Sequence, residues 1–372
     1  MLKIAHFIDS PDPGGAESII IDLCIHAKQN NISVEVLHFG NTWLEEKCLA
    51  HNIKSVKVPY HWLYKSIYTV PVFSILFYLF LKPRKIDIIH THLFDPIVAT
   101  FTSAYFLRLR HVATLHDVYA IENSKIKQLL LKLALSLHSR IVSVSEQIIK
   151  HLNESGIVKS ESVLLIHNGV DLERFTPGDI DRNFPNELGI SSDDIVVVSV
   201  GRLVPIKAYP NLIKSFYSVV KESPLVKLMI IGDGPEMLNL KRLVEEMDLA
   251  RNVFLLGQRD DVSDLLKKCD VFVLSSISEG LSCSIIEAMA SGLPVLATNV
   301  GGNSELVQNN VNGYLVAEGD TGAFSKKLLE LVSDGSLRKT FGEKSSNIAR
   351  AEFSIDSMSG KYIKLYKELS NV

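Results

Sequence analysis

The segment Ser278–Thr298, SEGLSCSIIEAMASGLPVLAT, constrains the fold more than any other part of the chain. It comes after the apolar run Asp270–Ser275 (DVFVLS) and closes on Leu293–Ala297, two short stretches that read as buried strands. Between them Ser282 or Ser284 is placed to cap a helix in which Ile285, Ile286, Met289 and Ala290 recur at helical spacing. Gly292 supplies the residue that ends such a helix, and Pro294 blocks its continuation. The unit is strand–loop–helix–strand. Glu279 then lies just past the carboxyl end of a parallel strand, where open α/β sheets bind ligands. Gly280, Leu281 and Ser282 offer backbone N–H groups at a helix N-terminus, which favours an anion. A carboxylate accepts hydrogen bonds from vicinal hydroxyls, so Glu279 and Glu287 can each grip a sugar or a ribose. Two such acceptors flanking an anion site describe a sugar nucleotide. The plainer alternative is one glutamate favouring the helix dipole and a second one in solvent.

The rest of the chain repeats this alternation. Strands are predicted at Leu2–Ile8, Ser33–His38, Ile53–Val58, Ile86–His90, Val112–Leu115, Arg140–Val144 and Val163–Ile166, with helical segments between them, which is a doubly wound parallel sheet. A second series runs through Ile195–Val200, Val226–Ile231 and Val253–Leu256 and leads into the segment above. A chain of 372 residues is long enough for two such domains. The stretch 176–194 is polar and holds Pro177, Gly178, Pro185 and Gly189, so the linker is expected there, between an N-terminal domain over 1–175 and a C-terminal one over 195–354. Its Asp179-Ile-Asp181 string could hold a divalent ion, but no strand precedes it, and it reads as solvated.

Several loops carry chemistry. Gly14 and Gly15 let a ligand approach the backbone just before a helix, although a Gly-Gly turn is weak by itself and no GxGxxG is present. Gly201 frees the backbone after Ile195–Val200; Arg202 adds a planar fork suited to phosphate and Lys207 a point charge, so the pair can neutralise a diphosphate. Two strands of the first half end in His90-Thr-His92 and in His116-Asp117, whose spacing matches no metal-ligand pattern, so no metal is expected. His116, at a strand's carboxyl end, is the functional candidate among them, its alternative being a cap on the following loop.

With 39 basic and 42 acidic residues the net charge is −3, which argues against a nucleic-acid partner held by bulk electrostatics. Cys24, Cys48, Cys269 and Cys283 are scattered without CxxC spacing, as in a reduced, cytoplasmic protein, and the chain opens directly into a strand. Ile67–Leu81 (IYTVPVFSILFYLFL) is short for a membrane span and contains Pro71. A core-facing helix is the expectation. The alternative is an aromatic helix lying on the inner, anionic face of a membrane beside Lys82-Pro-Arg-Lys85.

Taken in order, Gly14-Gly-Ala-Glu17, His116-Asp117, Asn168-Gly-Val-Asp171, Gly201-Arg-Leu…Lys207, Gly232-Asp-Gly-Pro-Glu236 and Glu279-Gly-Leu…Glu287-Ala-Met-Ala-Ser-Gly-Leu-Pro-Val295 closely resemble the retaining GT-B glycosyltransferases of family 4, from Met1 to the last helix. The resemblance implies two Rossmann-like domains facing each other across a cleft, with the helix at 355–372 packing back onto the first. It implies a nucleotide-sugar donor as the only small-molecule requirement, without metal or cofactor: a UDP-sugar first, GDP-mannose second. Arg202 and Lys207 would hold the diphosphate, Glu279 the donor sugar and Glu287 the ribose. Amides after Gly14-Gly15 and Glu279 would complete the phosphate cradle, and His116 would lie beside the reacting sugar. The acceptor would be a saccharide or lipid-linked saccharide of surface polysaccharide assembly. Other readings on this scaffold are a nucleotide-sugar epimerase, a glycosyl phosphorylase (weakened by the lack of a pyridoxal lysine motif) or a non-catalytic sugar-nucleotide-binding scaffold.

Overall fold

The computed structural model describes residues 1–10, 13–66, 68–122, 124–137, 139–178, 184 and 189–370. Asp179-Ile-Asp181 lies outside them. The chain divides into two compact units, Met1–Gly169 with Ile355–Val372, and Val170–Ser354.

The first unit is built on a parallel sheet of β1 (Lys3–Phe7), β2 (Ser33–His38), β3 (Lys54–Lys57), β4 (Ile88–His92), β5 (Arg110–Leu115), β6 (Ser139–Ser143) and β7 (Val163–Leu165), in the order β3-β2-β1-β4-β5-β6-β7. Central strands buried on both faces need continuous rather than alternating apolar runs. Here β4 departs from that rule, because it runs on through His90 and His92, two positions beyond the expected end, and all five of its residues are buried. The helix Val70–Leu81 drives Phe73, Phe77 and Leu81 into a core with Phe7, Leu37 and Tyr64, where the Phe73 and Phe77 rings stack at 5.3 Å. The core-facing expectation therefore describes one side of this helix. The other leaves Val72, Ile75 and Leu79 exposed, at 49%, 63% and 56%. No helix among the described residues is long and apolar enough to cross a membrane.

The last helix, Ile355–Ser370, belongs to this unit and packs on the helix Gly15–Gln29. Its Tyr366 hydroxyl lies 2.7 Å from His90 Nδ1, and Tyr362 reaches Thr114 at 3.2 Å, so the helix is locked to β4 and β5 by buried polar contacts.

The second unit holds β8 (Ile195–Val200), β9 (Val226–Ile231), β10 (Val253–Leu255), β11 (Val271–Leu274), β12 (Val295–Thr298) and β13 (Gly313–Val316), all parallel, in the order β10-β9-β8-β11-β12-β13. Its core joins Val197, Leu228, Val271 and Leu296 of the sheet to Phe216, Leu240 and Leu328 of the helices. The strand β13 was not expected: Gly313-Tyr-Leu-Val316 is four residues long and begins with a glycine, a residue that weakens strands. The sheet itself requires that glycine, since a Cβ there would sit 1.9 Å from the Val295 carbonyl oxygen.

The linker expected at 176–194 lies partly outside the described residues; the first unit runs to Gly169 and takes up the chain again at Ile355, the start expected for the helix that packs back onto it. Backbone pairing sets this division. The Val170 N–H donates to the Phe353 carbonyl at 2.8 Å, and the Arg174 guanidinium reaches the Asp260 carbonyl at 3.4 Å, which ties 170–175 to the second unit.

Candidate active site

In the second unit the strand order reverses between β8 and β11, and ligands of open α/β sheets bind beyond the carboxyl ends of strands at such a point. Arg202 and Lys207 come after β8, and Glu279 comes after β11. The Lys207 ammonium donates to Glu279 Oε1 at 2.6 Å, and the Ser276 hydroxyl donates to the same oxygen at 2.5 Å. Both charged side chains are largely covered, at 18% and 9% exposed, so the pair is screened far less than a surface pair. Arg202 is exposed and pairs with no carboxylate among the described residues. The site therefore offers a fixed lysine–glutamate pair next to an uncommitted guanidinium.

Close backbone contacts hold the loops in place. Ile277 N–H donates to the Ile206 carbonyl at 2.8 Å, and the Ser275 hydroxyl to the Lys207 carbonyl at 2.9 Å, joining the β8 and β11 loops. The Thr298 hydroxyl donates to the Ser276 carbonyl at 2.6 Å, and Gly302 N–H to the Gly280 carbonyl at 2.9 Å, joining the β11 and β12 loops. Gly301 adopts φ +49°, and a Cβ there would lie 1.7 Å from the Glu279 carbonyl oxygen. Gly232, at φ +138°, approaches Gly201 nearly as closely, with a Cβ 2.0 Å from its carbonyl oxygen.

The helix Cys283–Ala290 begins where the sequence places it. Ser282, the earlier of the two candidate caps, accepts a hydrogen bond from Ile285 N–H at 3.4 Å, and Gly292 ends the turn at φ +81°. Gly280, Leu281 and Ser282 are buried along the approach to this helix, whose second turn carries half-buried Glu287. Glu279, Lys207, Gly201, Arg202 and the 280–282 amides are thus assembled within one unit around one switch point.

Gly14, Gly15 and His116 belong to the first unit. Gly14 is the N-cap of the helix Gly15–Gln29 and is extended at φ −161°, with no side-chain cap to compete for the free amides. His116 comes directly after β5, half-buried, and its Nε2 lies 3.1 Å from His92 Nδ1. Burial pushes the His116 imidazole down to about 4, so it is neutral at physiological pH. Burial likewise lowers His6 to about 3 and puts His90 and His92 well below the usual imidazole range.

His6, His90 and His92 bring ring nitrogens within 4.8 Å of one another, the spacing of a metal site. Yet His90 contacts Tyr366 and Thr114, and His92 contacts His6 and His116, so both nitrogens of each already face hydrogen-bond partners. The cluster is a hydrogen-bonded network.

Sequence reasoning missed His6, which pairs with His90 in the β1–β4 register across 84 residues, and Ser276, which no motif marks. It also gave Lys207 and Glu279 separate tasks, whereas they contact each other. The glycine loop Asn299–Asn303 is legible in the sequence, but its contact with Glu279 and Gly280 is not.

The comparisons with known proteins agree with this geometry. Residues 13–174 match Glycosyltransferase Family 4 and residues 181–347 match Glycosyl transferases group 1. A UDP-Gal:alpha-D-GlcNAc-diphosphoundecaprenol alpha-1,3-galactosyltransferase of Escherichia coli is 31% identical over 271 residues, 69% of each chain. The chain belongs to the family 4, group 1 glycosyltransferases. An N-acetyl-alpha-D-glucosaminyl L-malate synthase of Bacillus anthracis is 26% identical over 77% of this glycosyltransferase and 76% of its own length. Among solved structures, Anabaena HepE in complex with UDP and glucose has a TM-score of 0.86 at 23% identity, covering 99% of this chain and 100% of that one. That likeness shows the GT-B fold, and the family shows sugar transfer in glycan biosynthesis as the activity.

Proposed function

We propose that this glycosyltransferase moves a sugar from a UDP-sugar to a lipid-linked saccharide, with retention of configuration and without a metal or cofactor. The observation that carries the reading is the Lys207–Glu279 pair at the switch point, 2.6 Å apart, beside the unpaired Arg202. Arg202 and Lys207 meet the donor diphosphate and stabilise the charge that develops on the leaving group, the task that otherwise falls to a divalent ion. Glu279, fixed by Lys207 and Ser276, accepts hydrogen bonds from the donor sugar hydroxyls. Glu287 takes the ribose, and the 280–282 amides the phosphate oxygens. In the first unit, neutral His116 contributes a hydrogen bond to a substrate oxygen, and the amides behind Gly14-Gly15 contribute anion binding. A uracil base is favoured by the UDP named for the Anabaena complex and the UDP-Gal named for the Escherichia coli relative; GDP-mannose is the second choice.

The same relative's diphosphoundecaprenol-linked acceptor favours a membrane-bound saccharide, and one face of the first unit suits it. The exposed Val72, Ile75 and Leu79 lie on a helix that packs on Phe94–Phe106, which packs in turn on Lys125–Ser136, where Ile126, Leu129 and Leu133 are also exposed. Lys82, Lys85, Lys125 and Lys127 flank these ridges in sequence, so apolar insertion and attraction to anionic lipid act together.

Thermal stabilisation by a panel of nucleotide diphosphates and nucleotide sugars, with and without EDTA, tests the donor, because a ligand of the folded state raises the melting temperature. Stabilisation by uridine nucleotides that survives EDTA supports the reading, whereas stabilisation that EDTA abolishes refutes metal independence. Glu279→Gln should lower transfer about 100-fold or more, in the range of a lost transition-state contact, with UDP binding nearly intact. Co-sedimentation with anionic vesicles that Ile75→Asp does not weaken would sink the membrane assignment.

A further inference from the structure

Three imidazoles of the first unit form a chain. His6 Nδ1 lies 3.1 Å from His92 Nε2, and His92 Nδ1 lies 3.1 Å from His116 Nε2. His6 and His92 are fully buried, His116 is half-buried, and the His6 and His92 rings are stacked at 5.4 Å. The inner end is closed, since His6 Nε2 is buried without a hydrogen-bond partner. A neutral imidazole carries one donor and one acceptor nitrogen, so the protons of such a chain can be arranged in only two ways. In one, every Nδ1 carries the proton and His6 Nε2 is a bare acceptor. In the other, every Nε2 carries it, and His6 buries an N–H with nothing to receive it. An orphaned buried donor is the rarer and costlier defect, so the first arrangement holds.

We infer that His6 and His92 are positioning residues that set the tautomer of His116, so that it presents its Nδ1–H as a hydrogen-bond donor to substrate. His6 Nδ1–H donates to His92 Nε2, His92 Nδ1–H donates to His116 Nε2, and the only nitrogen left to face outward is His116 Nδ1, already protonated. A histidine free of this chain would exchange between tautomers and offer a bare nitrogen part of the time. His90 is not a link: its two nitrogens engage Tyr366 and Thr114, and it fixes the last helix against the strand that carries His92. The inference rests on the reading that His116 meets substrate. His92, in the middle, cannot reverse its proton without reversing both neighbours, so a change at His6 is transmitted to His116 across a residue that stays in place.

The test is the tautomer state itself, read on the full chain with 15N-labelled histidine by long-range 1H–15N correlation at pH 7.5, alongside steady-state transfer. The expected wild-type state of His116 is Nδ1–H, and an Nε2–H tautomer there overturns the polarity. His6→Asp puts a pure acceptor against His92 Nε2 without touching His116. It should turn the chain over, move His116 toward Nε2–H and lower kcat in proportion to the Nδ1–H population lost, with KM for the donor unchanged. His6→Asn keeps an amide donor where Nδ1 was and should leave both readouts as in wild type. A His6→Asp protein whose His116 tautomer stays as in wild type refutes the relay, as does a fall in kcat that His6→Asn shares. The functional reading fails separately, if His116→Ala transfers sugar as fast as wild type.

Discussion

Acid should unfold the first unit selectively. All twelve histidines precede Gly169 and none lies in the second unit, so imidazole protonation acts on one half of the chain. His6 and His111 are 0% and 1% exposed, and burial lowers them to about 3 and about 4. A histidine whose folded value lies below its unfolded one contributes stability that is intact above the unfolded value, near 6.5, and is lost as pH falls toward the folded one. At pH 5 the unfolded chain has taken up protons that the native core refuses, at a cost of about 2 kcal/mol for each such residue. His6 and His111 alone remove about 4 kcal/mol from a domain whose whole stability is about 5–15 kcal/mol. His90 and His92 act in the same direction through burial, as does half-buried His116 with a smaller weight. Asp95 opposes them, since burial raises its carboxyl. Both tryptophans, Trp43 and Trp62, lie in the first unit, so their fluorescence reports its unfolding separately. Between pH 7.5 and pH 5 the urea midpoint read by tryptophan should fall by about 2 M, taking an m-value near 2 kcal/mol per molar. Coincident tryptophan midpoints at the two pH values would falsify the claim that these imidazoles are held neutral.

Two substitutions test the packing within each unit. Gly301→Ala adds a Cβ 1.7 Å from the Glu279 carbonyl at a left-handed φ, so the β12 loop must shift; transfer should fall at least about tenfold and stability by about 2 kcal/mol, measured by assay and urea titration. Arg84→Ala removes the guanidinium that lies 3.8 Å from the Phe80 ring centroid and 3.7 Å from buried Glu35. It should lower the tryptophan-monitored stability of the first unit by about 1–3 kcal/mol, so in vesicle experiments the charge changes belong at Lys82 and Lys85 instead.

The sheets were legible because their signals are local. Ile195–Val200 and Val226–Ile231 are uninterrupted apolar runs, and Ser282 with Gly292 brackets a helix by cap chemistry alone. Arg202, Lys207 and Glu279 were legible because each sits on the loop after a strand, and a parallel sheet gathers those loops along one edge. The contacts among residues far apart in sequence were not legible. That Lys207 meets Glu279 depends on β8 lying beside β11, and that His6 meets His92 depends on β1 lying beside β4. Strand order is fixed by packing of whole layers, and composition carries no trace of it. The end of the first unit at Gly169 rests on a contact of the same kind, the backbone pairing of Val170 with Phe353.

The candidate site residues of the two units differ in charge type. The candidate donor site uses Arg202, Lys207 and Glu279, with no imidazole, whereas the first unit uses imidazoles held neutral by burial. A leaving diphosphate needs positive potential already in place, and groups that keep their charge supply it without a proton balance to maintain. The phosphates of a nucleotide sugar are diesters and do not titrate between pH 5 and 8. Donor affinity should therefore change less than about threefold across that range, while transfer declines below pH 6 as the histidine-rich unit loosens. Calorimetric titration with UDP-glucose at pH 7.5 and 5.5, beside rates at the same two values, separates the limbs. Affinity lost in step with the rate would place a neutral-range proton in the donor site and break the proposed division of labour.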